Sequence, residues 1–394
     1  MRFLHTGDWH LGKNFYGRSL IEDQTYILEQ IIGILQRAKD ADNAYNALVI
    51  PGDIYDRAVP SSEATVLLDG FLQRVRSDFP ETAVLILAGN HDSAKRLSFA
   101  SAFLKREGIF IASCAREMEI PVEIGGVCFY QIPFLTSLLQ DGDDFAAPIH
   151  AQNEIYAEAC RRILDAHEKN HCGQSAVLCA HATCFKKGDE SYSVGTAELV
   201  NPAVFAGFDY VALGHIHKMM CVQKKEPAIW YSGSPLAYSF DDSHKKGVLS
   251  VEISEKGKVS AQCIELQPLH PVKRISGTFS ELDDEDAAEP FANCYIEAEC
   301  TDSTAIENPM AILEKRYPFI LSFKRTAKKQ SGDSEAFELR KKIISSGKKD
   351  EEIMSDMFEL FIKDLYGEHL DTSCYEKEKA VFDATCREIA KEEE

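Results

Sequence analysis

Short apolar runs recur through the first two thirds of the chain, and each stops abruptly at polar residues. NALVIPGDIYD (residues 46–56) and TAVLILAGNHD (82–92) set the pattern. SAVLCAHATC (175–184), DYVALGHIHK (209–218), AIWYSGSP (228–235) and GVLSVEI (247–253) repeat it. Apolar runs without alternation suit strands that are buried on both faces. Segments with helical spacing lie between some of them. Over residues 21–39, Ile27, Leu28, Ile31, Ile32 and Leu35 share one face, and residues 152–168 are similar. The pattern predicts a β-rich α/β unit over residues 1–270.

Residues 271–326 read as a smaller α/β unit. VKRISGTFS, NCYIEAEC and FILSFKRT are predicted strands, and MAILEKRY a short helix. The acidic ELDDEDAAEP reads as a solvated surface segment. AKKQSGDSE opens a predicted linker over residues 327–350. Residues 351–394 are charged and helical. In EEIMSDMFELFIKDLYG, Ile353, Met357, Leu360, Phe361 and Leu365 form one apolar stripe. Such a stripe usually packs on its own domain, but so short a segment has little else to pack on, which makes docking on a partner the serious alternative.

The length, 394 residues, exceeds what one core usually supports and agrees with this division. With 45% apolar and 27% charged residues the chain is ordinary for a soluble protein. No apolar run is long enough for a bilayer, and the first residues lack a signal-peptide core, so a cytoplasmic protein without membrane contact is expected. The twelve cysteines are scattered without a C-x-x-C pair and read as reduced thiols rather than a zinc site. The net charge of −20 argues against a protein that coats nucleic acid non-specifically. It leaves room for a local site whose positive charge comes from bound metal.

The chemistry lies where the apolar runs end. LHTGDWHLG (residues 4–12) places Asp8 and His10 two positions apart, and on a strand such positions point the same way. Asp53 follows in PGD, Asn90 and His91 in GNHD, His181 after VLCA, and His215 and His217 in GHIH. Each stands at the carboxyl end of a predicted strand, the edge where open α/β sheets bind ligands. A single histidine there is usually a core or surface residue, and a single asparagine a turn former. Recurrence at five successive strand ends outweighs that reading. The oxygen and nitrogen donors suit a pair of divalent ions such as Mn²⁺, Fe²⁺ or Zn²⁺. A pair needs a shared ligand, and the carboxylate of Asp53 is the natural bridge. Gly7, Gly52, Gly89 and Gly214 precede the donors and allow tight turns. Two such ions activate a bridging water and stabilise a phosphoryl oxygen.

In this order D-x-H, G-D, G-N-H-D, H and G-H-x-H resemble the calcineurin-like metallophosphoesterase superfamily, over residues 1 to about 255. The resemblance implies a β-sandwich flanked by helices, with two metals on one rim. It implies that Asp8, His10, Asp53 and His217 hold one ion, and Asp53, Asn90, His181 and His215 the other. His91 would face the scissile phosphate, stabilise the transition state and help protonate the leaving oxygen. Trp9 with the HLG ending, YSGSPLAYSFDDSHKKGV (231–248), and the continuation into a small unit and a helix are similar to the nuclease subunits of recombination-repair nucleases. That narrower resemblance implies Mn²⁺-dependent cleavage of DNA. The activities would be 3′-to-5′ exonuclease on duplex ends and endonuclease on single strands and hairpins. It also implies a coiled-coil ATPase of the ABC type as partner and a homodimer of nuclease subunits, formed through the first domain, within a heterotetramer. Residues 271–326 would be a capping domain that admits DNA, and the helix near 351–367 would dock on the coiled coil.

Two departures stand out. Many relatives carry His three residues beyond the bridging Asp, where this chain has Asp56, so a ligand-orienting role is expected instead. GDIYDRA resembles the G-D-x-x-D-R-G of protein phosphatases, but Ala58 replaces the glycine. Arg57 is then a surface pair or a DNA phosphate contact. Lys13, Arg18, Lys186, Lys187, Lys218, Lys245 and Lys246 lie near the motifs and are further candidates for phosphate contacts. The alternatives are a metallophosphatase or small-molecule phosphodiesterase, which needs no linker and docking helix, and a non-catalytic scaffold, which would be expected to have lost donors.

Overall fold

The computed structural model describes residues 1–138, 148–185, 199–242, 244–326, 343, 350–366 and 372–392. In chain order the strands are β1 (Arg2–His5), β2 (Asn14–Phe15), β3 (Arg18–Ser19), β4 (Ala47–Pro51), β5 (Ala83–Leu87), β6 (Ile109–Ala112), β7 (Val122–Ile124), β8 (Val127–Ile132) and β9 (Ser175–His181). There follow β10 (Tyr210–Gly214), β11 (Met220–Gln223), β12 (Ala228–Tyr231), β13 (Gly247–Glu255), β14 (Lys258–Glu265), β15 (Val272–Gly277), β16 (Tyr295–Cys300) and β17 (Ile320–Arg325). The chain divides into two compact units, Met1–Val272 and Lys273–Glu394.

The first unit holds two six-stranded sheets, ordered β14-β13-β1-β4-β5-β6 and β11-β12-β10-β9-β8-β7. Their central strands run parallel: β1 with β4, β4 with β5, β8 with β9, and β9 with β10. All their carboxyl ends therefore lie at one edge of their sheet. Between the sheets sits a core of Phe3, Val49, Leu85, Phe129, Val177, Cys179, Tyr210 and Leu249. Phe3 meets Phe129 and Tyr210 edge-on at 5.3 and 5.5 Å, the geometry aromatic rings favour. Alternate residues Cys128, Tyr130, Leu178, Val211 and Leu213 bury the other face of the second sheet against Ile155, Tyr156, Ala159 and Ile163 of helix Gln152–Asn170. Leu48, Ile50, Val84 and Ile86 are buried on the first sheet in the same alternation. Burial on both faces is why these strands read as unbroken apolar runs.

Local sequence starts and stops the flanking helices. Ser61 caps helix Ser62–Asp78 by accepting from the Ala64 amide at 3.2 Å. Helix Ile21–Asp40 has Glu22 and Asp23 in its first turn and Arg37 and Lys39 in its last, which suits the helix dipole. Its buried residues are Ile27, Leu28, Ile31, Ile32, Ile34 and Leu35 on the apolar side, with Asp23 and Gln24 near its start. No described helix is long and apolar enough to cross a membrane. The described cysteines are free thiols.

The second unit contains the sheet β15-β16-β17 over a core of Leu282, Ile296, Ala298, Leu313, Tyr317 and Ile320. Within ELDDEDAAEP the chain makes a helical turn, Glu285–Ala288, capped by Asp284, so the segment is more than solvated coil. Helix Asp350–Tyr366 has an intramolecular partner in helix Thr372–Glu392. Phe358 stacks on Phe382 with ring centroids 4.2 Å apart, and Ile362, one turn on, is buried. This corrects the expectation that the helix lacks a packing partner. Phe361, from the predicted stripe, is 55% exposed instead, because the 358/362 pair faces the neighbouring helix. The side chain of Leu365, Lys186, Lys187 and most of the 327–350 segment lie outside the described residues.

Candidate metal centre

The loops leaving β1, β4, β5, β9 and β10 bring seven donor side chains to one rim. The Nε2 atoms of His10 and His217 are 3.0 Å apart. Asn90 Oδ1 lies 2.9 Å from His181 Nε2 and 2.9 Å from His215 Nδ1, and those two nitrogens are 3.2 Å from each other. Asp53 Oδ2 stands between the groups, 3.6 Å from His10 Nε2 and 3.5 Å from His181 Nε2. Ligands of one transition ion, at about 2.0–2.2 Å from it, end up roughly 3 Å apart. Donor atoms of Asp53, His181 and His215 converge within 4.8 Å, as do those of His10, Asp56 and His91.

Asp8 is fully buried. Its Oδ1 accepts from the His215 amide at 2.8 Å, while Oδ2 has no hydrogen-bond partner among the described residues. His10 Nδ1 is likewise buried without a hydrogen bond among the described residues, its nearest carboxylate being Asp56 at 3.7 Å. An orphaned carboxylate oxygen costs a few kcal/mol unless another group satisfies it. A divalent cation suits this set of atoms in charge and in donor type.

The electrostatics agree. Burial lowers the pKa of His10 to about 2, and burial with nearby cationic groups lowers His215 and His217 to about 4. These imidazoles are neutral at pH 7, as metal ligands must be. Burial raises Asp8 to about 7. Burial also opposes charge on His181 and on Asp53, but their mutual attraction prevails. His181 rises to about 9 and Asp53 falls well below the usual carboxylate range. The pair behaves as an ion pair whose proton a bound cation would displace.

Backbone geometry corrects one expectation. Asp8 and His10 do not alternate on a strand. They lie in the loop beyond β1 with φ of 52° and 45°, and Asp53 and His215 also have positive φ, 49° and 98°. Such left-handed residues cost about 1–3 kcal/mol each and persist only where surrounding contacts enforce them. The contacts are visible. Trp9, 1% exposed, donates from Nε1 to Thr6 Oγ1 at 3.0 Å and packs edge-on against Phe71. Gln24 donates to the His10 carbonyl at 2.7 Å and accepts from the Gly12 amide at 2.9 Å. The Tyr238 hydroxyl donates to the Trp9 carbonyl. Asp92, which the motif hid behind His91, accepts from the amides of Ile54, Tyr55 and Gly89 at 3.1, 2.9 and 2.9 Å. The glycines act mainly by proximity. A Cβ on Gly89 would lie 2.1 Å from Asp53 Oδ1, and one on Gly52 2.2 Å from His181 Nδ1.

Further contacts aim the rings. The Pro51 carbonyl is 2.9 Å from His181 Nδ1, which leaves Nε2 facing Asp53 and Asn90. The His91 amide donates to Asp53 Oδ1 at 2.9 Å, and its Nδ1 lies 2.9 Å from the Asp56 carbonyl. The exposed His91 ring stands edge-on to His10 with ring centroids 4.7 Å apart. Asp56 Oδ1 is 3.7 Å from His10 Nδ1 and 2.7 Å from Lys13 Nζ.

The basic candidates divide. Lys13 is held by Asp56, and Arg57, 77% exposed, lies 3.7 Å from the same carboxylate. Arg18 is exposed and Lys218 half-buried. Lys245 reaches Glu265 at 2.9 Å on the surface. Lys246 corrects the reading as a phosphate contact. It is 8% exposed, and its Nζ donates to the His217 carbonyl at 2.9 Å, Ser234 Oγ at 3.0 Å and Asp242 at 2.5 Å. A lysine so engaged holds the histidine loop rather than a substrate. Its position in a KK pair carried no signal of this, because only the fold brings residue 246 beneath residue 217.

Comparison with known proteins shows what the chain is similar to. The family model described as calcineurin-like phosphoesterase matches residues 1–219. The SbcD subunit of the nuclease SbcCD from Staphylococcus saprophyticus is 29% identical over 404 aligned residues, covering 99% of this chain and 100% of that protein.

Proposed function

The chain belongs to the calcineurin-like phosphoesterase family, and from that premise we propose that it is the nuclease subunit of an SbcCD-type complex, a metal-dependent phosphodiesterase acting on DNA. The observation that carries the chemistry is the placement of Asp53 Oδ2 within 3.6 Å of one imidazole from each donor group. Similarity along the whole length to the staphylococcal SbcD nuclease protein supports DNA rather than a small phosphoester as substrate.

In this reading Asp8, His10, Asp53 and His217 hold one divalent ion, and Asp53, Asn90, His181 and His215 the second, with Mn²⁺ the expected metal. When bound, such ions supply Lewis acidity for a phosphoryl oxygen and lower the pKa of an attacking water. The residues of the chain do the rest. The Asp8 and Asp53 carboxylates would offset part of the ions' charge, and the neutral His10, His215 and His217 rings would add donors without adding charge. The Pro51 carbonyl fixes the His181 ring, and the Asp56 carbonyl fixes the His91 ring through Nδ1. His91 donates a hydrogen bond to the phosphoryl oxygen and a proton to the leaving oxygen, a role worth about 10²–10⁴-fold in rate.

The partner is an SbcC-type coiled-coil ATPase, bound through residues beyond 350, with two nuclease subunits per complex and residues 271–326 capping the DNA. The expected activities are 3′-to-5′ exonuclease on duplex ends and endonuclease on single strands and hairpins, regulated by ATP. The test is Mn²⁺-dependent cleavage of linear duplex and hairpin DNA by the full-length chain, with and without that ATPase, beside a phosphopeptide. Degradation of DNA with the phosphopeptide untouched is expected. A preparation that dephosphorylates the peptide and leaves all DNA intact refutes the nuclease reading.

A further inference from the structure

The hairpin β2–β3 leaves the loop that carries His10 and returns through a hydrogen bond from the Leu20 amide to the Lys13 carbonyl, 3.1 Å. Its two-residue tip is Tyr16-Gly17, with φ of 50° and 86°. Tight hairpin tips with two positive φ values favour Asn-Gly or Asp-Gly. A bulky aromatic residue at the first position is an outlier that local folding does not call for. Its exposure is equally unexplained by packing. Tyr16 is 54% exposed, while the rings that back it, Phe15 and Phe240, are buried. Their centroids lie 5.1 and 5.2 Å from that of Tyr16 and 5.0 Å from each other. Two residues before Phe240, the Tyr238 ring stands 5.5 Å from His10 and 5.8 Å from His217. Tyr238 thus flanks the metal-centre imidazoles, and two residues further along the same segment Phe240 backs the open Tyr16 ring.

We propose that the Tyr16 ring is a stacking platform for a nucleobase of the strand being cut, next to the scissile phosphate. This rests on the nuclease reading above and deepens it. A lone exposed ring is too small for a protein-docking patch, but it matches the face of one base. Such stacking is tolerant of sequence because every base offers a π-face. The exposed Arg18 on the same hairpin supplies positive charge for the adjoining backbone. A platform of this kind engages unpaired bases, so it favours single-stranded DNA and frayed duplex ends over a fully stacked helix.

The test uses the full-length Mn²⁺-loaded chain and single-stranded oligonucleotides with an abasic nucleotide placed at each position in turn. Tyr16→Ala is expected to raise KM by roughly tenfold or more, the usual weight of one base–aromatic stack. Tyr16→Phe, which keeps the ring, restores it. In the wild type one abasic position raises KM comparably, and Tyr16→Ala is indifferent to that same position. An unchanged KM in Tyr16→Ala overturns the proposal. So does a fall in kcat alone that Tyr16→Phe does not rescue, since that marks a structural role. If the wild type hydrolyses bis(4-nitrophenyl) phosphate but no oligonucleotide at all, the nuclease reading itself fails.

Discussion

His10 and His217 are separated by 207 positions in the chain, yet their Nε2 atoms lie 3.0 Å apart. At that distance two neutral imidazoles can share one N–H···N hydrogen bond when their tautomers differ. The arrangement also makes sense when both lone pairs address one cation, and each ring is held for that purpose by its backbone. The His10 carbonyl is gripped by Gln24, and the His217 carbonyl by Lys246.

Asp53 joins the two donor groups, so its charge should matter to both. In Asp53→Asn, calorimetric Mn²⁺ titration is expected to show affinity weakened by at least about 100-fold for both ions, beyond the range seen when supporting contacts are lost. Chelation of the wild type should lower its Tm, and the variant should lose most of that difference. Retention of two tightly bound ions in the variant would contradict the bridging role.

His91 should behave differently. It is exposed and contributes its amide, not its ring, to Asp53. His91→Ala should lower kcat by about 10²–10⁴-fold with KM nearly unchanged. Mn²⁺ affinity should stay within a few-fold of wild type. A large drop in metal affinity would instead make the ring a ligand.

Lys246 supports the centre from beneath. Lys246→Met leaves Asp242 without its partner and releases the His217 carbonyl. Urea unfolding should show a loss of about 3–5 kcal/mol, the usual consequence of breaking a buried ion pair. Mn²⁺ affinity should fall by about 10–100-fold. Lys246→Arg should recover part of the stability but less of the affinity, because a guanidinium cannot reproduce three bonds from one nitrogen. Equal recovery of both would assign the lysine to stability alone.

His5 gives the fold an acid-sensitive point. Both ring nitrogens are engaged between the sheets, Nδ1 with the Tyr210 hydroxyl at 3.0 Å and Nε2 with the Leu213 carbonyl at 3.2 Å. Burial lowers its pKa from 6.5 to about 3. Between those values the unfolded chain binds a proton that the folded chain refuses. Stability from this residue is therefore complete above pH 6.5 and declines as pH falls toward 3, by up to about 1.4 kcal/mol per pH unit. His5→Gln, which carries no titratable group, should show a shallower fall between pH 6.5 and 4.5 in chelator-treated urea titrations. Parallel curves for the two proteins would remove His5 as the cause.

Much of this was open to reading in one dimension. Strands buried on both faces must be apolar throughout, so β4, β5, β9 and β10 announce themselves as unbroken runs. Parallel neighbours put their carboxyl ends together, so the polar residue ending each run marks the rim. The fold class is legible in that order, and the family in the resemblance of the ordered motifs to known phosphoesterases. The second unit was harder. On helix Asp350–Tyr366 the predicted stripe includes Phe361, which is exposed, and omits Phe358 and Ile362, which pack, because periodicity cannot say which neighbour a helix will meet.

What the sequence determined by itself is the inventory: which donor types, after which strands, in which order. Tertiary structure alone decided their use. The left-handed turns at Asp8, His10, Asp53 and His215 exist because distant contacts outweigh local preference. The standing of Asp53 between two histidine groups, the burial of Lys246 under His217, and the exposure of Tyr16 beside buried Phe240 are distances between residues far apart in the chain. Spacing along a chain constrains only near neighbours, whereas the packing of two sheets sets every one of those distances at once.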